Sequence, residues 1–158
     1  MASTGNNALT QGIPTLADAF VVLIKTEWNA HLVDRLEEGC LRILDAAAVR
    51  HRTLVVPGAV EIPFAVKHYQ QQSKQPADAF ITLGTVIQGG TPHFEYVCQI
   101  VTNGILQLNL ALQVPVIFGV LTLNNEQEAI DRTGGIHGHK GEEAAITALK
   151  MIALSRSI

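Results

Sequence analysis

The amino-acid sequence predicts a single α/β domain in which a four-stranded parallel sheet carries helices on both faces. Two observations predict it: short apolar segments rich in β-branched residues, and segments of helical spacing between them. The apolar segments lie at residues 20–24, 53–56, 79–87 and 114–122. Each is too short for an isolated helix and is bounded by Gly, Pro or Asp, which is typical of buried strands. Strands that alternate with helices favour a parallel sheet with right-handed crossovers.

The segments of helical spacing lie at residues 29–48, 62–72, 92–112, 124–132 and 140–154. In the first of them Leu32, Leu36, Cys40 and Ile43 recur at the spacing of one helix face. Together with the strands they indicate a three-layer α/β/α sandwich of flavodoxin-like type. The connections at 73–76 and 134–138 are expected to be surface loops, and both are too short to separate domains.

Length and composition indicate one domain that associates with copies of itself. A chain of 158 residues buries enough surface for its own core, which residues 20–158 are expected to form. Residues 1–19 are expected to be an extended or flexible N-terminal arm. Hydrophobic residues make up 47% of the chain and charged residues 16%. This charged fraction is low for the surface of a monomer and favours an oligomer. The net charge of −3 and the scattered Lys and Arg argue against a nucleic-acid partner.

The cysteines and the apolar segments indicate the cellular compartment of the protein. Cys40 and Cys98 have neither CxxC nor metal-ligand spacing, so they are expected to be reduced core residues. No apolar run approaches the ~18 residues that a membrane span needs. Residues 1–16 lack the basic start of a secretory signal. A cytoplasmic protein without membrane association is therefore expected.

Candidate functional residues follow the ends of the predicted strands. Trp28 and Asn29 follow the first strand, residues 58–61 the second, residues 88–93 the third and Thr122 the fourth. Ligands of open parallel sheets bind beyond the carboxyl ends of the strands. These residues are therefore expected to share one rim.

The segment after the third strand has the features of a phosphate cradle with a proton carrier beside it. Gly89 and Gly90 precede Thr91, which can cap the next helix, and Pro92, which suits its first helical position. Free N–H groups at a helix start favour an anion, and the imidazole of His93 can exchange a proton near neutral pH. A purely structural interpretation, as a strand, a turn and a capped helix, stays open at this point.

Arg132 and Lys140 flank a glycine-rich turn that can present two cations to one anion. Arg132 is also favourable as the end of a helix, whereas Lys140 at a helix start opposes the helix dipole, so its position favours a function. His137 and His139 alternate across one glycine, but nothing within the turn completes a metal site, and none is expected.

Three further residues have two interpretations each. Trp28, the only tryptophan, can stack on a flat heterocycle or anchor its loop against the core. Glu61 can bind a ligand or cap the helix that follows it. Phe118 can fill the core or form the wall of a pocket near the end of its strand.

Five segments in order form a specific set. They are Lys-Thr-Glu-Trp-Asn at 25–29, Pro-Gly-Ala-Val-Glu-Ile-Pro at 57–63, residues 84–96 with their Thr-Pro-His-Phe, Pro-Val-Ile-Phe-Gly-Val-Leu-Thr at 115–122, and Arg132 with Lys140 and Gly141. This set resembles the 6,7-dimethyl-8-ribityllumazine synthase family over about residues 20–154, nearly the whole chain. The resemblance implies a transferase that condenses 5-amino-6-ribitylaminouracil with 3,4-dihydroxy-2-butanone 4-phosphate, the penultimate step of riboflavin synthesis. Phosphate and water are released, and neither cofactor nor metal is needed.

The resemblance also implies roles for individual residues. His93 would transfer protons, Trp28 would stack on the pyrimidine, and Arg132 would hold the phosphate together with the glycine-rich segment. The residues that would bind the substrates are Trp28, Asn29, Ala59, Val60, Glu61, Val86, Ile87, Gly90, Thr91, Phe118, Arg132 and Lys140. Asn29 and residues 59–61 would bind the ribityl hydroxyls, and residues 86–87 would frame the pyrimidine edge.

In this family the pocket forms between neighbouring subunits, so Phe118, Arg132 and Lys140 would come from the adjacent chain. The resemblance implies a homopentamer whose other partners are the two small-molecule substrates. The short turn at 134–139 is similar to that of members in which twelve pentamers close into a sixty-subunit icosahedral shell, and we favour the shell.

The chain also departs from the family pattern. Trp28 stands where many members have phenylalanine, Gln88 replaces a usual arginine or lysine, Gly90 a common acidic residue, and His139 a common asparagine. The missing cation at Gln88 is expected to weaken the attraction of anions to the rim. Two other classes of function stay open: a module that binds a flavin or lumazine without turnover, and a shell whose main role is enclosure. A binding module needs no proton carrier at His93.

Overall fold

The central sheet is formed by β1 (Phe20–Thr26), β2 (Arg50–Val56), β3 (Ala79–Ile87) and β4 (Val116–Leu123), which are parallel and lie in the order β2-β1-β3-β4. The computed structural model describes residues 9–16 and 18–158. The expectation for residues 1–8 and 17, part of the predicted arm, lies outside the described residues. The predicted four-stranded parallel sheet is confirmed.

The inner and the edge strands differ in how clearly the sequence marks them. β1 and β3 are buried along nearly their whole length, so they appear in the sequence as continuous apolar runs. β2 is an edge strand whose first residues, Arg50, His51 and Arg52, alternate between exposed and half-buried positions. It begins at Arg50 rather than at residue 53 because an edge strand needs no continuous apolar run.

The described residues form five helices, four of which cover the two faces of the sheet, and the predicted three-layer sandwich is confirmed. They are α1 (Ala30–Ala46), α2 (Ile62–Gln72), α3 (His93–Ala111), α4 (Glu126–Arg132) and α5 (Lys140–Ser157). α1 and α5 pack on one face of the sheet, and α2 and α3 on the other. A short 3₁₀ turn, Ala59–Glu61, leads from β2 into α2.

The alternation of side chains along β1 builds a core on each face of the sheet. Val21 and Leu23 point toward α1 and α5, whereas Val22 and Ile24 point toward α2 and α3. All four are fully buried. Burial of such a side chain stabilises the fold by about 1.5–3 kcal/mol, so the two-sided strand makes β1 the centre of the domain.

The start of α3 differs from the prediction. The helix begins at His93, Pro92 occupies the cap position with φ −62° and ψ −4°, and no side chain caps the helix. Thr91 was predicted as the cap, and this is wrong. The proline ring already holds a helical φ and has no N–H, so the chain turns at Pro92 and leaves Thr91 exposed in the preceding loop.

The connection at 134–138 was predicted as a surface loop, but it forms a small antiparallel pair, β5 (Thr133–Gly135) and β6 (Gly138–His139). Gly134 and Gly138 have φ of 109° and 75°, a region open to glycine, and this allows the tight return. Among residues 9–16 and 18–158, no helix is long and apolar enough to cross a membrane.

Candidate active site

The ends of β1, β2 and β3 form one rim at the carboxyl edge of the sheet, as predicted. Thr26 lies opposite Val56 at the ends of β1 and β2. The two chains stay together beyond the strands, because the N–H of Glu27 donates to the Val56 carbonyl at 2.8 Å and that of Trp28 to the Pro57 carbonyl at 3.1 Å. The loops after β1 and β2 therefore run side by side.

Trp28 projects from this rim into solvent. Its side chain is 75% exposed, so the interpretation of Trp28 as an anchor against the core is wrong. The loop is held by its backbone instead, since the Thr26 hydroxyl donates to the Trp28 carbonyl at 3.1 Å. The indole is free to stack on a flat ring.

Asn29 connects the first strand end to β3. It has a left-handed backbone, φ 58° and ψ 37°, which asparagine tolerates better than most residues. Its side-chain N–H donates to the Thr85 carbonyl at 3.2 Å. The amide oxygen makes no hydrogen bond within the described part of the chain and stays available at the rim.

Glu61 ends the 3₁₀ turn after β2 and occupies the cap position of α2, yet its carboxylate makes no capping hydrogen bond. Its backbone is already helical, with φ −83° and ψ −14°, and such a conformation directs the side chain away from the first free N–H groups. The carboxylate is exposed. Capping therefore does not account for Glu61, and its charge is free for a ligand.

The glycine-rich loop after β3 borders open space. A Cβ added at Gly89 or Gly90 would meet nothing within 4 Å. His93 stands in the first turn of α3, exposed, and its ring makes no hydrogen bond to any residue that the structure describes. The loop and the imidazole face solvent together at the same edge as Trp28 and Glu61.

The remaining predicted residues lie in a different place, a cleft of about 990 Å³ along the edge strand β4, here called the β4 groove. Its lining includes Phe118, Thr122, Arg132 and Lys140 but none of the predicted residues of the β1–β3 rim. Phe118 is 43% exposed, so it lines the groove and does not fill the core. Thr122 was expected to follow the fourth strand; β4 continues to Leu123, so Thr122 is its last residue but one and pairs with Val86 at the carboxyl edge of the sheet.

The cations of the β4 groove are held by partners. The Lys140 ammonium lies 2.6 Å from a carboxylate oxygen of Glu143, with the two side chains only 15% and 29% exposed. Arg132 donates through one terminal nitrogen to the Glu128 carbonyl at 2.9 Å and keeps its other donors for a ligand. Sequence reasoning missed Glu143, although its spacing of three residues from Lys140 on one helix was a usable signal.

His137 also lines the β4 groove. Its backbone N–H donates to the Asp131 carbonyl at 2.8 Å, which ties the hairpin to the end of α4. The sequence drew attention to this histidine only as a metal ligand, whereas the fold brings it beside Arg132 and Lys140.

Comparison with known proteins identifies the family. Residues 18–156 match the family model described as 6,7-dimethyl-8-ribityllumazine synthase. The chain belongs to this family. The 6,7-dimethyl-8-ribityllumazine synthase of Parabacteroides distasonis is 40% identical over 90% of this chain and 90% of its own length. That of Flavobacterium johnsoniae is 44% identical over 88% and 74%, and that of Christiangramia forsetii 41% over 99% and 96%.

Membership of the lumazine synthase family confirms the resemblance drawn from the motifs. The matched region begins just before β1 and ends within α5, so it includes both the rim and the β4 groove. The rim offers a stacking surface, a carboxylate and an imidazole, and the groove offers two cations. The chemistry of the rim suits a flat heterocycle, and that of the groove suits an anion.

Proposed function

We propose that this chain condenses 5-amino-6-ribitylaminouracil with 3,4-dihydroxy-2-butanone 4-phosphate to form 6,7-dimethyl-8-ribityllumazine. The observation that carries the proposal is the open rim, where Trp28, Glu61 and His93 present their side chains to solvent in a chain of the lumazine synthase family. A side chain that is neither buried nor hydrogen-bonded to protein is available to a ligand. These three side chains are neither, among the residues described.

The rim suits the pyrimidine substrate. The Trp28 indole stacks on the ring, and Val86 and Ile87 at the end of β3 frame its edge. The ribityl chain carries hydroxyls that match the Asn29 amide oxygen, the Glu61 carboxylate and the backbone of Ala59 and Val60. Because the rim is fixed by three parallel strand ends, the ring amine is held in one orientation.

The phosphorylated substrate needs anion binding and proton transfer. Gly90 and Thr91 offer backbone N–H groups before α3, and Arg132 and Lys140 offer positive charge. His93 transfers protons as the amine and ketone form an imine with loss of water, as phosphate leaves, and as the ribitylamino nitrogen closes the ring on the remaining carbonyl with loss of a second water. No electrons enter or leave, so the sequence of steps needs no redox cofactor. Holding both substrates together can lower the barrier by ~7–11 kcal/mol in well-oriented cases.

The active unit is a homopentamer in this proposal, with Phe118, Arg132 and Lys140 supplied by the neighbouring subunit. Their location in the β4 groove, apart from the rim of the same chain, supports a site shared between chains. β4 is an edge strand with an open side, and α3 exposes apolar side chains such as Leu110, which is 79% exposed. The short turn around β5 and β6 favours closure of twelve pentamers into a shell. We place the enzyme in the cytoplasm, with its two substrates as small-molecule partners.

Two measurements test the function and the assembly separately. The purified protein is incubated with both substrates while lumazine fluorescence and phosphate release are followed together. Equal appearance of both products above the uncatalysed rate supports a synthase. Binding of lumazine without turnover, in protein of confirmed mass, would leave the binding module as the better description. Native mass spectrometry of the same sample tests the pentamer and the shell, and a monomer that turns over would contradict the shared site.

A further inference from the structure

The residues on both sides of Lys140 are pressed against helix α1. The imidazole of His139 lies on Gly39, so closely that a Cβ at Gly39 would collide with the ring. The backbone of Gly141 lies on Leu36, where a Cβ at Gly141 would collide with the Leu36 carbonyl. Both positions therefore require glycine because residues 139–141 approach α1 closely, and not because of turn geometry.

We call these two contacts, of His139 with Gly39 and of Gly141 with Leu36, the clamp. Further contacts complete it. The buried thiol of Cys40 donates to the Gly141 carbonyl at 3.0 Å. On the other side, His139 pairs with Thr133 across the β5–β6 hairpin. The ring lies between Gly39 of α1 and Gly134 of the hairpin, where an added Cβ would be 3.6 Å from the ring, and Lys140 follows His139 directly in the chain.

We propose that His139 is a positioning residue whose ring, seated on Gly39, sets the place of Lys140 in the β4 groove. The proposal rests on the proposed function in one respect, that Lys140 meets an anionic substrate. The geometric reason is that α5 begins at Lys140, so any shift of His139 away from α1 moves the first turn of α5. The Lys140 side chain and its partner Glu143 both belong to that turn.

The surroundings of His139 suit a neutral ring. Its Nδ1 is buried and has no hydrogen-bond partner among the residues that the structure describes. Burial lowers the pKa of His139 from its ordinary value of 6.5; Glu142 opposes this effect, whereas Arg42 and Arg35 on α1 add to it. A lowered pKa in the folded state means that the unfolded chain binds the proton more readily. The stability contributed by neutral His139 is therefore complete above about pH 6.5 and is lost as the pH falls below it.

A double-mutant cycle tests the contact itself in the assembled protein. Gly39→Ala adds the Cβ that meets the ring, so it should lower the melting temperature and weaken the binding of inorganic phosphate. In a His139→Ala background the obstacle is gone, and the same change should be neutral or stabilising because alanine is the better helix former. Equal damage by Gly39→Ala in both backgrounds would overturn the clamp.

The positioning role is tested by phosphate affinity well below the melting temperature. His139→Ala should weaken the binding of inorganic phosphate roughly tenfold, about the effect of one lost hydrogen bond or ion pair. His139→Phe keeps a ring over Gly39 and should stay near the parent affinity, while the loss of stability between pH 7 and 5 becomes smaller than in the parent. His68→Ala, on the remote helix α2, is the control for loss of a histidine.

The outcomes separate this inference from the proposed function. A parent protein that binds phosphate without turnover would contradict the synthase proposal and leave the clamp fully testable. A His139→Ala variant that melts earlier but binds phosphate as the parent does would reduce His139 to a structural residue. A parent that binds no phosphate would overturn the idea that the clamp presents Lys140 to an anion.

Discussion

The β1–β3 rim and the β4 groove supply different groups to the proposed site and hold their side chains in opposite ways. At the rim, the side chains of Trp28, Glu61 and His93 are exposed and make no bonds to described residues. Their positions are set by the backbone. In the groove, Lys140 is mostly buried and paired with Glu143. Removal of Trp28, Glu61 or His93 should therefore leave the fold intact, whereas removal of Lys140 should not. Four predictions test this difference.

The largest effect is expected from His93→Ala. If His93 is the proton carrier, kcat should fall about 10²–10⁴-fold. The melting temperature should stay that of the parent, because the ring is exposed. The matched control is Glu95→Gln in the same helical turn, which should keep both values. A fall in kcat that is equal in the two variants would place the effect in the helix and not in the imidazole.

Lys140→Met should affect stability and binding together. It leaves the Glu143 carboxylate partly buried without its partner, which costs about 1–3 kcal/mol of unfolding free energy, and it weakens phosphate binding. The double change Lys140→Met with Glu143→Gln removes the unpaired charge and should restore stability but not affinity. Denaturant unfolding and phosphate titration measure the two effects. Full recovery of affinity in the double variant would show that Lys140 does not contact the anion.

Trp28→Ala should raise KM for the pyrimidine substrate roughly 2- to 10-fold, the range expected for loss of one aromatic stacking contact. Stability should not change, since the indole is exposed. Trp28→Phe keeps a stacking ring and should retain most of the affinity. The idea of stacking fails if alanine and phenylalanine give the same KM.

The smallest effect is expected from Gln88→Arg. A cation at this exposed position should tighten binding of the phosphorylated substrate about 2- to 5-fold, because solvent screens exposed charges. The gain should shrink in high salt, and Gln88→Met serves as the uncharged control. Unchanged affinity at low salt would mean that Gln88 lies outside the field of the anion.

Several elements could be predicted because a local signal decides them. The bounds of β3 and α2 are those predicted, at 79–87 and 62–72. β3 is buried on both faces, so its apolar run and the strand coincide. In α2, Pro63 stands at the start, where proline is favourable. The order of motifs was also enough to identify the family.

Other features were not evident from the sequence, either because a neighbouring residue decided the local geometry or because distant segments come into contact. The capping of α3 by Thr91 was a reasonable expectation from residue type, but the position of Pro92 in the turn decided otherwise. The seat of His139 on Gly39 joins segments about a hundred residues apart. No spacing within either segment indicates that contact.

By itself, the sequence determined the class of fold, the family and the types of residue at the site, because burial periodicity, turn residues and motifs are local properties of the chain. Only the tertiary structure decided that Phe118, Arg132 and Lys140 line one groove along β4 together with His137, and that Lys140 is paired with Glu143 and clamped. The physical reason is that the direction and burial of a side chain depend on which helix packs over its strand. That packing is a property of the whole domain.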